Sequence, residues 1–314
     1  MPLALRGFSR SLPSRLLLAR SLLLSALVVL AACGGGGSDS PASPGAPVIA
    51  AGAQEPGHQD GSAASARFRG VAGLAAAADG ALLIADDGNN VLRRLDASGS
   101  VATVATGLTA PNQVAVTAAG EIFVRRSLSR FFATDVVSVS PSGTVSAYVS
   151  ANGDATALAA DAGGNLYISD GQAVSTLTRV NRDKTKTVLM TDVRISAVTV
   201  DPAGTVFFVG YGNRELQVGT VSPAGQVALL ATGSGNPALA AAATHAINNI
   251  AVDAQRNLYF PAGKFIRRLA PDGSVSTVAD LSAFATPDAF IFGLALQRGA
   301  LYASVANTIV KVPL

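Results

Sequence analysis

Short apolar runs, each preceded by a turn pair, return six times along this chain. Asp79-Gly80 precedes Ala81-Leu82-Leu83-Ile84, Ala119-Gly120 precedes Glu121-Ile122-Phe123-Val124, and Gly163-Gly164 precedes Asn165-Leu166-Tyr167-Ile168. Ala203-Gly204 then precedes Thr205-Val206-Phe207-Phe208, Gln255-Arg256 precedes Asn257-Leu258-Tyr259-Phe260, and Arg298-Gly299 precedes Ala300-Leu301-Tyr302-Ala303. Gly, Pro, Asp and Ser separate the apolar runs, and no segment sustains a helical period. The pattern predicts short β-strands joined by turns. A spacing of roughly 40 to 50 residues is the period of a four-stranded propeller blade.

Each repeat divides into strands A to D. In the first they are expected over residues 71–77, 81–85, 91–95 and 101–105. The C–D turns recur as clearly as the A–B turns: Ala97-Ser98-Gly99-Ser100, Pro141-Ser142-Gly143-Thr144, Pro223-Ala224-Gly225-Gln226 and Pro271-Asp272-Gly273-Ser274. Glycine supplies the left-handed position that closes such hairpins. The third repeat carries Arg182-Asp183-Lys184-Thr185 instead, which leaves its turn type open. The sixth repeat has strands over 292–296, 300–304 and 308–312 and stops one strand short. Pro47-Val48-Ile49-Ala50-Ala51-Gly52 reads like the D strand of the first repeat. The expectation is an all-β, six-bladed β-propeller whose last blade is completed by this N-terminal strand, a closure that leaves no half-made edge.

The first repeat carries a fuller signature. A stretch from Gly61 to Leu74 containing Ala66-Arg67-Phe68 is followed by Asp79-Gly80, Ile84-Ala85-Asp86 and Asn89-Asn90-Val91-Leu92-Arg93-Arg94-Leu95. This resembles an NHL repeat, and the fifth copy, at Ile250-Ala251-Val252-Asp253 and Phe265-Ile266-Arg267-Arg268-Leu269, is similar. The second and third copies are degenerate, with Arg125-Arg126 standing where the first has Ala85-Asp86. The resemblance implies a six-bladed propeller serving as an interaction platform.

The amino terminus has a different character. Arg6, Arg10, Arg15 and Arg20 flank an apolar run over residues 21–30 that is short for a membrane span. Leu30-Ala31-Ala32-Cys33 resembles a bacterial lipobox, which implies a signal peptide over 1–32 and lipidation of Cys33, the chain's only cysteine. Gly34 in place of aspartate implies, for a Gram-negative source, the outer membrane, with the domain facing the periplasm or the cell surface. Residues 33–46, rich in Gly, Ser and Pro, read as a disordered tether spanning on the order of 20 Å, and 47–314 as the propeller. The chain has 23 basic and 20 acidic residues. Four of the basic ones lie in the signal segment, so the remainder is near neutral and no nucleic-acid partner is expected.

Candidate chemistry is sparse. The B–C and D–A connections are longer and more varied than the turns, which makes their side of the disc the expected binding face. Its candidates are Asn112, Asp154, Asn249, Asp288, Arg125, Arg126 and Arg130. Asp86 and Asn89 are expected to bond the backbone of the B–C turn, and one of each pair, Arg93-Arg94 and Arg267-Arg268, to face outward onto a solvated face. With two histidines, His58 and His245, a histidine-based zinc site is unlikely on counting. No nucleophile–base pair stands out. The expectation is therefore a lipid-anchored, non-enzymatic binding scaffold with a protein or small-ligand partner, no catalytic residue and no cofactor. The alternative is a hydrolase or lyase similar to gluconolactonases, with a divalent cation held in the central channel. Convergence of carboxylates at the channel mouth discriminates the two.

Overall fold

The computed structural model describes residues 45–128, 134–150, 156–170, 176–242, 247–286 and 289–314. Strand β1 (Val48–Gly52) opens the domain. Blade 1 follows with β2 (Gly61–Ser62), β3 (Val71–Ala76), β4 (Leu82–Asp86), β5 (Val91–Leu95) and β6 (Ser100–Ala105). Blade 2 comprises β7 (Pro111–Val116), β8 (Ile122–Ser127), β9 (Thr134–Val139) and β10 (Val145–Ser150), and blade 3 comprises β11 (Ala157–Ala160), β12 (Leu166–Asp170), β13 (Thr176–Val180) and β14 (Lys186–Met190). Blade 4 has β15 (Arg194–Val200), β16 (Val206–Gly212), β17 (Glu215–Val221) and β18 (Val227–Thr232). Helix α1 (Pro237–Ala242) leads to blade 5, with β19 (Ala251–Val252), β20 (Leu258–Ala262), β21 (Phe265–Leu269) and β22 (Val275–Asp280). Blade 6 has β23 (Ile291–Gln297), β24 (Ala300–Val305) and β25 (Thr308–Pro313).

These strands form six antiparallel sheets, and the last has the order β1-β25-β24-β23. The ring is thus closed by the N-terminal strand, as the sequence predicts. β1 pairs with β25 from Val48↔Lys311 to Gly52↔Thr308. Asn307 ties the seam, its Oδ1 accepting the Gly70 amide and its Nδ2 donating to the Gln54 carbonyl, both at 2.8 Å. The repeat extends to a feature the sequence hides. The C–D strand pair of every blade bulges at one position, namely Ala50, Val104, Tyr148, Leu189, Leu230 and Val278. A bulge increases local twist, so each blade's outer edge is turned in the same way.

Six apolar clusters hold the ring, one at each blade interface. Phe68, Val71, Leu74, Leu82 and Ile84 of blade 1 meet Ala51, Ala295 and Ile309 of blade 6 in one of them. Phe207, Val209 and Val218 meet Leu258, Phe260 and Ile250 in another. Alternate residues of a strand enter the clusters on its two sides: Leu82 and Ile84 face blade 6, Leu83 and Ala85 face blade 2. Burial on both faces is why the strands read as unbroken apolar runs.

Three local features depart from the sequence reading. α1 is a helix in a chain expected to lack them. Its Asn236 Oδ1 caps the Ala238 and Leu239 amides at 3.1 and 3.2 Å, and one and a half turns are too short for a period to show. β2 adds a fifth strand outside β6, so among the described residues blade 1 alone has its outer edge covered by a further strand. The third C–D turn is of the same kind as the others. Lys184 takes the left-handed position (φ 66°) that glycine holds elsewhere, and its amide reaches the Asn181 carbonyl at 2.8 Å.

Candidate functional site

The loop ends of the inner strands β3, β7, β11, β15, β19 and β23 surround the mouth of the central channel. A bulge in β7 between Pro111 and Gln113 sets Asn112 apart from its neighbours. Glycine makes the crowding there feasible. A Cβ on Gly73 would stand 2.7 Å from the Asn112 carbonyl oxygen and 2.9 Å from Gln113 Cα, so blades 1 and 2 touch backbone to backbone.

Gln113 is buried and reaches across the axis. Its Nε2 donates to the Asn248 carbonyl at 2.6 Å. Asn248 leads into blade 5, opposite blade 2 in a ring of six. Arg125 Nε donates to Gln113 Oε1 at 3.3 Å, which orients the amide with its nitrogen toward blade 5. Asn112 Nδ2 donates to Ser127 Oγ at 3.1 Å, while its Oδ1 is buried with no hydrogen-bond partner among the described residues. A hydrogen-bonded bar therefore spans the mouth, bordered by an unused acceptor and a guanidinium.

Below the bar lies a cavity of about 260 Å³. Its wall is Leu74 to Ala76, Val114 to Val116, Leu158 to Ala160, Val198 to Val200, Asn249 to Val252 and Leu294 to Leu296. Thr199 and Asn249 are its polar side chains, and no carboxylate or histidine is among these residues. Among the described residues, no group of three or more His, Cys, Asp and Glu comes together as a metal site.

Of the predicted site residues, Asn112 and Arg125 meet at the mouth and Asn249 lines the wall. Arg126 does not join them. It pairs with Asp135 through two bonds of 2.8 and 3.1 Å, and that carboxylate raises its pKa. Adjacent strand residues point to opposite faces, which separates Arg125 from Arg126. Arg130, Asp154 and Asp288 lie outside the described residues, as do His245, Cys33 and the tether through residue 44. His58 is exposed in the loop before β3. The sequence reading missed Gln113, whose only signal is a carboxamide within an inner strand that is otherwise apolar from Val114 onward.

Asp86 and Asn89 bond loop backbone, but that of the segment before β3 instead of the B–C turn: Asp86 Oδ1 accepts the Arg69 amide at 2.9 Å, and Asn89 Nδ2 donates to the Gly57 carbonyl at 2.7 Å. Arg93 is the inward member of its pair. It is fully buried, its guanidinium 5.2 Å from the Phe68 ring centroid, paired with Asp86 at 3.2 Å and Asp60 at 2.6 Å. It also donates to the Gln59 and Arg67 carbonyls. This cluster fastens the loop over blade 1 and belongs to the fold. Arg94, the next residue, does face outward, paired with Asp79 at 2.7 Å.

No protein-family model matches the chain, and no curated protein matches it in sequence. Solved structures do match in shape. An auxiliary nutrient binding protein from Bacteroides thetaiotaomicron superposes with a TM-score of 0.66 at 13% identity, over 85% of this chain and 75% of that one. A protein of unknown function from the same organism gives 0.64 at 17% identity, with the same shares covered. A gluconolactonase from Xanthomonas campestris gives 0.61 at 14% identity, over 79% of this chain and 86% of that one. At such identities the likeness extends to the fold alone: this chain is a six-bladed β-propeller, with neighbours among gluconolactonase-like and nutrient-binding propellers.

Proposed function

We propose that this protein is a non-enzymatic binding propeller of the bacterial cell envelope, of NHL type, held to the membrane through a lipidated Cys33, with its partner engaging the loop face. The observation that carries the reading is the channel wall. Hydrolysis of a lactone, or elimination, needs an activated water or a base beside the substrate, and the described residues that line this channel below its mouth are Ala, Val, Leu, Ile, Thr199 and Asn249. The Gln113–Asn248 bar further separates that cavity from the loop face. A rigid ring presenting variable loops suits recognition, and one structural neighbour is a nutrient binding protein. Anchorage, preferentially in the outer membrane, rests on the lipobox-like Leu30-Ala31-Ala32-Cys33.

The likeness to a gluconolactonase keeps one second reading, a metal-dependent hydrolase. Hydrolysis of glucono-δ-lactone, followed by pH-stat with and without calcium, manganese or zinc, separates the two. The binding reading expects the uncatalysed rate in every case. Acceleration by a divalent ion, reversed by a chelator, would overturn it. Fractionation of cells expressing the full chain and its Cys33→Ala form tests the anchor. The variant is expected in the soluble envelope fraction, and membrane retention of that variant refutes lipidation.

A further inference from the structure

A second concavity lies away from the channel, where α1 approaches the hairpin of β20 and β21. It has a volume of about 340 Å³, at the small end of the range for small-molecule pockets. Ala238, Ala241 and Ala242 of the helix form one wall. Two phenylalanines form the other, and both are strongly exposed, Phe265 at 36% and Phe290 at 43%. Large aromatic side chains left in water around a concave site mark a binding surface.

The pocket also has a sign. Among the described residues that line it, Lys264 and Arg267 carry the charge. The Arg267 guanidinium stands 5.3 Å from the Phe265 ring centroid and donates to Thr277 Oγ1, while its Nε is buried with no hydrogen-bond partner. Asp280 lies beside Lys264 without lining the pocket. Its carboxylate accepts the Ser282 amide at 2.9 Å. Among the described residues, these two cations stand over an alanine and phenylalanine floor. An apolar body would bury the two rings and the helix wall, and an anionic head would meet the Lys264 ammonium and the accessible edge of the Arg267 guanidinium. Guanidinium matches a carboxylate through paired N–H donors.

We propose that this pocket binds a small carboxylic acid with an aromatic or branched aliphatic body. Concavity favours a small molecule over a membrane. So does topology: Phe265 and Phe290 sit at the loop face, whereas Val48, where the chain enters the ring, pairs with Lys311 at the opposite, turn face.

The test is fluorine NMR of 4-fluorophenylacetate titrated with the folded domain, with 4-fluorophenethylamine as a cation of the same body. Saturable binding of the acid is expected, with the amine weaker by roughly tenfold or more. Phe290→Ala and Arg267→Gln are each expected to weaken the acid by roughly tenfold, with circular dichroism showing that each variant is folded. Equal affinity for acid and amine, absence of saturation up to about 20 mM, or indifference to Phe290→Ala would overturn the proposal. So would co-sedimentation of the domain with anionic vesicles that Phe290→Ala abolishes, because the patch would then serve a membrane. Each outcome is independent of the channel and of lactone hydrolysis.

Discussion

Arg93→Met removes the one fully buried cation of blade 1 while keeping an apolar side chain against Phe68. What remains is Asp86, itself wholly buried, without its counter-ion. Removing one member of a buried pair costs about 3–5 kcal/mol. Asp86 keeps two hydrogen bonds, from the Arg69 amide and from Asn89 Nδ2, which places the loss near the lower end, about 3 kcal/mol. The Asp60 partner is half exposed and adds little. For a domain of this size the loss lowers the melting temperature by about 6–12 °C. The decisive comparison is the double variant. Adding Asp86→Asn to Arg93→Met removes the stranded charge but keeps an acceptor for Arg69, so about 1–2 kcal/mol should return. Urea unfolding of the wild type, the single variant and the double variant, followed by circular dichroism, measures both steps. The reasoning fails if Arg93→Met unfolds within about 0.5 kcal/mol of wild type, or if Asp86→Asn deepens the loss instead of relieving it.

Three further predictions rest on the repeat. Deleting residues 47–52 strips β1 from β25 and uncovers Ile309 and Phe68. The deleted form should lose its cooperative thermal transition, and a melt like that of the intact domain would refute closure by this strand. Gly143 and Gly225 hold equivalent turns at the same φ of 82°, but a Cβ on Gly143 would overlap the Val104 carbonyl oxygen while one on Gly225 meets nothing within 4 Å. Both alanine variants carry the left-handed penalty of about 1–2 kcal/mol, and Gly143→Ala should be the less stable of the two in denaturant unfolding. Equal losses would show the blade contact to be absent. Tyr167 and Tyr259 donate to Asp161 and Asp253 at 3.0 and 2.9 Å, and burial, followed by those carboxylates, pushes both phenols up to about 12 from 10.0. Between these values the unfolded chain has released protons that the folded one retains, so the stabilisation present below pH 10 is lost as pH rises toward 12. The urea midpoint should fall over that window, and a Tyr167→Phe, Tyr259→Phe double variant should flatten the fall; an unchanged slope refutes the assignment.

Blade count, strand order and the closing strand were legible in the sequence because each depends on local needs that every copy must meet. The left-handed turn position selects Gly80, Gly120, Gly164 and Gly204, with φ between 80° and 92°, and burial on both faces selects unbroken apolar strands. Where other residues meet the same need, the signal fades. Lys184 and Arg256 take that position at φ 66° and 64°, which is why the third C–D turn could not be typed from its letters. Only the closed ring decided which polar residues converge. Gln113 and Asn248 are 135 positions apart and meet because blades 2 and 5 face one another across the axis. Arg93 and Arg94 read alike in the chain, yet alternation sends Arg94 to water and Arg93 into the space beneath the loop that carries Gln59, Asp60 and Phe68. Local chemistry specifies a blade. The content of the channel depends on side chains from different blades, whose distance is set by ring closure and by no single repeat.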